Sequence, residues 1–299
     1  MVRALKGLED VIGITYVHPT WQYTNPSQDE HRGWVFGSTG KKSFTNTSGV
    51  GSFPSSWGEV DPIMNAKSIR EIYEKVNDTI GKYTVPILWD KSLNTIVSNE
   101  SAEIIRMLNF EFNDLAKHPE MNLYPEELED EIDEVNAWVY PAINNGVYRC
   151  GLASNQEMYD SAIGEFPCED IHASRTCMTL IFCHKIPDEL TEAFDRVNGI
   201  LKKQLFLLGD SITEADVRLF VTLLRFDEVY NVYFKTNTRS VSSCKAILKY
   251  VKRIYNMKGV KETCRMDMIK AHYFTSHVEL NKYSIIPRGD DFMKLLNSD

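Results

Sequence analysis

Residues 83–107 read YTVPILWDKSLNTIVSNESAEIIRM, and this stretch decides the fold. Thr84–Asp90 is a short apolar run entered through Pro86, which predicts a buried strand. Lys91-Ser92 is turn-like, and Asn94–Val97 predicts a second short strand. The period then changes from 2 to 3.6. Ile104, Leu108, Phe112 and Leu115 mark one face of a helix starting near Asn99. Proline cannot donate to a strand ladder. At Val85-Pro86 the chain therefore makes either an ordinary edge strand or a cis bond that turns a backbone edge toward a ligand. Ser98-Asn99-Glu100-Ser101 opens the helix. Its free N–H groups and positive dipole end suit an anion. Glu100 could pair with an ammonium while Ser101 takes a carboxylate, the two charges of an α-amino acid head group. Plain N-capping explains the same residues.

Working upstream, residues 2–6 predict the end of a helix stopped by Gly7. Asp10–His18, with Val11, Ile12, Ile14, Tyr16 and Val17, predicts a strand ended by Pro19. From Gly37 to Gly58, 16 of 22 residues are Gly, Ser, Thr, Asn or Pro, which predicts a solvated, flexible insertion over 37–58. Ser68–Asn77 predicts a short helix. The first third thus reads helix, strand, helix, strand, strand, helix: most of a thioredoxin-like α/β unit, without its opening strand.

Downstream the pattern is helical. Glu126–Glu134 carries seven carboxylates in nine residues, a solvated face, with Leu128, Ile132, Val135 and Val139 as its buried stripe. Leu190, Phe194, Val197, Leu201 and Leu205 make a second stripe. Ile247, Tyr250, Val251 and Ile254 make a third. Ser211-x-x-Glu214 and Thr213-x-x-Asp216 are overlapping capping boxes before an apolar helix. The boundary falls between Lys117 and Tyr124, giving a thioredoxin-like domain over 1–120 and an all-α domain over 121–299.

The 299 residues carry a net charge of −9, which repels phosphate backbones and acidic membranes. No apolar run exceeds four residues, far short of the roughly 20 a spanning helix needs. The six cysteines include no Cys-x-x-Cys pair, so free thiols in a reducing cytoplasm are expected. The N-terminus MVRALKGLEDVIGI lacks the apolar core of a signal peptide.

In this order the elements resemble a cytosolic glutathione transferase. More closely, the chain resembles the glutathionyl-hydroquinone reductases, the Xi class, relatives of the Omega class. The resembling stretches are Gly33–Phe36, Tyr83–Lys91, Ser98–Met107, Asn144–Gly151, Leu207–Tyr230 and Ile269–His277, and together they span most of the chain. The resemblance implies a glutathione site. Val85 would hold the peptide's cysteine through its backbone beside cis-Pro86, and Lys82, Tyr83 and Thr84 would lie along it. Glu100 and Ser101 would take the γ-glutamyl end, and Trp34 would stack on the ligand. It also implies a proton-transfer role for Tyr148 at a quinol ring, and hydrogen bonds from Tyr230 and Tyr273 to the reactive thiolate.

Two departures stand against the family pattern. Its Cys-Pro-Trp-Ala signature would fall just upstream of Met1, since the match begins at Val2–Leu8. Of the cysteines present, Cys150 is the first candidate for a substitute nucleophile. Extra residues at about 166–187 carry Cys168, His172, Cys177, Cys183 and His184 in a spacing unusual for zinc, so no metal is expected. The implied function is a glutathione-dependent thiol transferase that reduces glutathionyl-hydroquinones or small glutathione mixed disulfides, acting on glutathione as substrate. Its cysteine nucleophile is expected upstream of residue 1. The alternative is a catalytically silent glutathione-binding or interaction protein. A third reading is a transferase conjugating glutathione to electrophiles. A homodimer fits the resemblance; nucleic acid and membrane are not expected partners.

Overall fold

The structure is a computed structural model that describes residues 1–38, 40–164, 190–289 and 291–298. These divide into two compact units. The first holds Val2–Glu120 together with Glu262–Arg288; the second holds Met121–Lys261 and Gly289–Asp299, with Met1.

In the first unit, α1 (Val2–Leu5) stops at Gly7, whose φ of +67° is the left-handed turn that glycine takes without a Cβ penalty. Two short hairpins follow: β1 (Gln22–Tyr23) with β2 (Arg32–Gly33), and β3 (Ser43–Phe44) with β4 (Phe53–Pro54). Next come α2 (Ile69–Lys75), the antiparallel pair β5 (Leu88–Asp90) and β6 (Thr95–Ser98), and α3 (Ser101–Phe110). Helix α2 starts where the Ser68 hydroxyl accepts the Glu71 N–H at 3.4 Å. The thioredoxin-like core is Phe36, Ala66, Ile69, Ile72 and Tyr73, with Trp34, Val85, Ile87 and Trp89 against it.

Three sequence expectations are corrected here. Asp10–His18 forms no strand. It is held by isolated bonds, Glu59 N–H to the Tyr16 carbonyl (2.8 Å) and His18 N–H to the Val35 carbonyl (2.7 Å). Val11 and Ile14 are exposed, so the apolar alternation does not face a core. The strand expected from Thr84 begins only at Leu88. Pro86 has no N–H to offer, and the Thr84 carbonyl is taken by the Tyr73 hydroxyl (3.0 Å). Helix α3 ends at Phe110, and Leu115 is exposed in a separate 3-10 turn (Asn113–Leu115).

The segment 37–58 is exposed over much of its length and anchored at a few buried points. Phe44, Asn46, Phe53 and Ser55 are buried. His18 is fully buried, edge-on to Phe44 (4.7 Å) and stacked with Trp57 (6.2 Å), and its Nε2 faces the Pro54 carbonyl (3.2 Å). Two of its glycines serve close approach. A Cβ on Gly37 would sit 2.2 Å from the Gly58 carbonyl oxygen, and one on Gly58 would sit 2.7 Å from the His18 nitrogen.

The second unit is helical: α4 (Glu129–Val139), α5 (Gly146–Gly151), α6 (Gln156–Ile163), α7 (Leu190–Leu201), α8 (Glu214–Arg225), α9 (Asn231–Tyr233) and α10 (Lys245–Tyr255). The chain continues through α11 (Met266–Ser276), which lies in the first unit, to α12 (Phe292–Asn297) in the second. The acidic residues of 126–134 are exposed, while Ile132, Val135 and Val139 are buried. Leu190, Phe194, Val197 and Leu201 are buried as expected. Leu205 is exposed because α7 stops at Leu201. Of the two capping boxes, the second sets α8. The buried Asp216 carboxylate accepts the N–H groups of Leu207 and Thr213 (each 2.8 Å) and the hydroxyls of Thr213 (3.0 Å) and Tyr250 (2.9 Å).

Two predictions follow from these buried polar groups. Asp216→Ala strands four buried donors, and each unmet donor costs about 1–3 kcal/mol. Urea unfolding of the full chain should show a loss of about 3 kcal/mol or more; a loss under about 1 kcal/mol contradicts the role assigned to the carboxylate. The second concerns pH. Burial lowers the pKa of His18, His31 and His277 below the ordinary 6.5, and all three lie in the first unit. The unfolded chain then binds protons that the folded unit refuses, so stability is complete above about pH 6.5 and falls as pH drops through that value. Trp21, Trp34, Trp57 and Trp89, four of the five tryptophans, report on this unit. The urea midpoint read by tryptophan emission should hold level above about pH 7 and decline toward pH 5.5. A midpoint that is flat or rising over that interval contradicts the histidine argument.

Candidate functional site

The predicted glutathione residues are assembled by the β5–β6 hairpin and the start of α3. The Val85–Pro86 bond is cis. The segment leading to it is held from two sides. Tyr73, on α2, donates to the Thr84 carbonyl (3.0 Å), and Asn99 Nδ2 donates to the Thr84 hydroxyl (3.0 Å). The second bond ties the residue before Val85 to the residue before Glu100. Lys82, Thr84 and Pro86 are exposed; Tyr83 and Val85 are half-buried. Tyr83 is fixed by rings and charge: Tyr73 lies 5.7 Å away, His31 is edge-on at 5.0 Å, and the Arg70 guanidinium sits 5.4 Å from its centroid. Arg70 is buried and held by Asp29 (2.7 Å) and Glu74 (2.6 Å). Its hydrogen bond depresses the Asp29 carboxyl below the usual carboxylate range.

At the start of α3, the Ser98 hydroxyl accepts the Glu100 N–H (3.0 Å) and donates to Glu103 (2.7 Å). Ser98, not Glu100, therefore caps the turn, and the Glu100 side chain makes no capping bond. Glu100 and Ser101 are both exposed at the helix terminus. A carboxylate beside a hydroxyl and a helix N-terminus offers one partner for a cation and one for an anion.

Trp34 is half-buried, and its ring stacks on His272 of α11 (4.3 Å, 28° between planes). Trp21 lies 5.8 Å from it, nearly perpendicular at 85°. Tyr273 is buried on the same helix, 5.2 Å from His272. Sequence reasoning passed over Trp21, Tyr73, Asn99 and His272. The last belongs to a resembling stretch, but its partner is 238 positions away and no local pattern points to it.

In the second unit the structure brings Tyr148 and Tyr230 together. Their ring centres lie 6.0 Å apart, and both lie against Phe234, at 5.2 and 5.6 Å. Tyr230 ends a π-helical turn (Phe226–Tyr230) and is buried; Tyr148, on α5, is half-buried. Gly151 lets Phe234 approach, since a Cβ there would sit 2.0 Å from its ring. Cys150 is no ready substitute nucleophile. Its thiol is buried, and burial pushes its pKa up to about 11, so the thiolate is disfavoured at neutral pH. Cys168, His172, Cys177, Cys183 and His184 lie outside the described residues. Among the described residues no group of three or more His, Cys, Asp or Glu could hold a metal ion, and no helix is long and apolar enough to cross a membrane.

Comparison with known proteins agrees with this frame. The family model for the glutathione S-transferase C-terminal domain matches residues 184–253. Glutathionyl-hydroquinone reductase YqjG of Escherichia coli is 35% identical over 290 residues, 97% of this chain and 74% of the relative. Glutathione S-transferase omega-like 2 of Schizosaccharomyces pombe is 35% identical over 297 residues, 97% of this chain and 80% of the relative. A solved Xi glutathione transferase from Saccharomyces cerevisiae in complex with glutathione superposes with a TM-score of 0.79 at 31% identity, covering 97% of this chain and 87% of that one. With identity of this level running across both units, the chain belongs to the Xi-class glutathione transferases, the family of the glutathionyl-hydroquinone reductases.

Proposed function

We propose that the chain binds glutathione and serves glutathione-dependent thiol transfer, reducing glutathionyl-hydroquinones or small glutathione mixed disulfides. One observation carries the binding half. Asn99 joins the cis Val85–Pro86 segment to a helix terminus where Glu100 and Ser101 stand exposed and Ser98 does the capping. In this reading Glu100 pairs with the γ-glutamyl ammonium. Ser101 and the first-turn N–H groups take the carboxylate. The Val85 backbone runs beside the ligand's cysteine, with Lys82, Tyr83 and Thr84 along the peptide, and Trp34 stacks on it. The relatives named glutathionyl-hydroquinone reductase and the glutathione-bound Xi transferase support this choice of ligand.

The transfer half rests on the family resemblance. By that resemblance a cysteine thiolate attacks the sulfur of a glutathionyl-hydroquinone. The sulfur–ring bond breaks with its electron pair going to the ring carbon, which Tyr148 protonates. Hydroquinone leaves, and the cysteine is left joined to glutathione in a mixed disulfide. A second glutathione thiolate attacks that disulfide, releasing oxidised glutathione and restoring the cysteine thiolate. Tyr230 and Tyr273 hydrogen-bond the thiolate without adding charge.

Calorimetric titration with reduced glutathione tests the binding half. Glu100→Gln and Ser101→Ala should each weaken binding by about five- to tenfold, the scale of one charge-assisted hydrogen bond at an exposed site. Unchanged affinity in both variants removes the assignment of the γ-glutamyl end to this helix terminus. Binding without reduction of a glutathionyl-hydroquinone selects the silent binding protein over the reductase.

Gly151→Ala tests the second unit. The added methyl must displace the Phe234 ring that lies against both Tyr148 and Tyr230. Turnover of a glutathionyl-hydroquinone should fall about tenfold or more while the Kd for glutathione stays within about twofold. Equal losses in both quantities would place the effect in global unfolding instead.

A further inference from the structure

We propose that His272 is a positioning residue for glutathione: it holds one face of Trp34 and thereby sets the indole so that the opposite face meets the peptide. This inference rests on the reading above that Trp34 stacks on glutathione.

The imidazole is anchored before it meets the indole. Its Nδ1 lies 2.9 Å from the Pro19 carbonyl oxygen and 3.2 Å from the Ser276 hydroxyl. A carbonyl oxygen only accepts, so Nδ1 carries a proton and donates it there. The Ser276 hydroxyl donates to the same carbonyl (2.9 Å) and accepts the Trp21 N–H (3.0 Å). One turn of α11 thus grips residues 19–21, and a further bond joins the hydroxyls of Thr20 and Thr275 (2.7 Å). With its plane set by these bonds, the His272 ring lies nearly parallel to Trp34 at 4.3 Å. Trp21 completes the box, 5.8 Å from Trp34 and 5.6 Å from His272. Among the described residues the buried Trp21 Nε1 has no hydrogen-bond partner, so ring contacts and not its indole N–H set this ring.

An indole has two faces. His272 occupies one of them, so a peptide that stacks on Trp34 uses the other. Without His272 the indole loses its backing, and binding must then restrain a side chain that the free protein leaves unrestrained. The inference places this effect in affinity, because the contact that ties His272 to the ligand is its stack on Trp34.

The test is a double-mutant cycle in the full chain, read by calorimetry with reduced glutathione. Trp34→Ala should weaken binding. His272→Ala should weaken it about three- to tenfold, the measured scale of an aromatic pair. In the Trp34→Ala background, His272→Ala should add nothing, since the ring it backs is gone. His272→Phe keeps a flat ring without the anchoring bond and should recover part of the affinity. Ser276→Ala, which removes one anchor, should give a smaller loss that also vanishes without Trp34. In turnover assays KM for glutathione rises while kcat holds, a split that general destabilisation does not produce. Wild-type affinity in His272→Ala beside a weakened Trp34→Ala overturns the inference. So does a His272→Ala loss that persists undiminished without Trp34. Wild-type affinity in Trp34→Ala instead overturns the reading that Trp34 stacks on glutathione. Should His272→Ala fail to unfold cooperatively, the Phe and Ser276 variants carry the same comparison.

Discussion

The Asp216 carboxylate is the point on which the helical unit turns. It is buried, and burial alone would push its pKa up and disfavour the charge. Four donors oppose that cost: two backbone N–H groups from the approach to α8, the Thr213 hydroxyl and the Tyr250 hydroxyl of α10. A single side chain therefore starts α8, ties the preceding loop at Leu207 and reaches a second helix. The consequences run along the chain. Helix α8 passes into the π-helical turn that ends in Tyr230, so the start of α8 sets where Tyr230 falls. Asn144 adds a second tie, donating to the Arg218 carbonyl (2.8 Å) and the Thr222 hydroxyl (2.6 Å) of α8, and it lies four residues before Tyr148. Both tyrosines are thus placed from the same helix.

The first unit has a different hub. His18 is uncharged by environment: burial lowers its pKa, while Nε2 faces the Pro54 carbonyl (3.2 Å) and Nδ1 accepts the Thr20 N–H (3.1 Å). That pairing binds the segment 37–58 on one side. On the other it fixes residues 18–20, from which Pro19 and Thr20 bond to α11. The histidine hub and the Trp34 box are therefore consecutive steps of one hydrogen-bonded chain within the unit.

What was legible in the sequence was local. Helix α3, the capping box at Asp216 and the Gly7 stop all depend on residues within a few positions of one another, where spacing and side-chain type suffice; at Val85-Pro86 the residues left an edge strand and a cis bond open, and the structure has the cis bond. The failures share one cause. Composition does not show where 37–58 is anchored, because glycine serves both solvent and close packing, and the anchor at His18 is distant in sequence. Asp10–His18 had strand-like residues but finds no ladder partner. His272 against Trp34 and Phe234 against Gly151 are long-range contacts whose sequence signs are a single histidine and a single glycine. The family resemblance named Trp34, Tyr148, Tyr230 and Tyr273, but not the groups that hold them.

The character of the two groups of residues follows from burial. Recognition of a doubly charged peptide end is assigned to Glu100 and Ser101, which stay exposed, so their charge and dipole are not bought with desolvation. The groups assigned to proton and thiolate chemistry are phenols, two of them buried among rings: Tyr230 parallel to Phe234 at 5.6 Å, and Tyr273 beside His272. A carboxylate or ammonium in those places would have to be ionised in an apolar setting or give up its charge. A phenol keeps an O–H to offer while remaining neutral, and its ring packs like its neighbours. The same logic disqualifies Cys150. Buried, with its pKa pushed up to about 11, it keeps its proton at neutral pH, whereas thiol transfer needs a sulfur that has lost it.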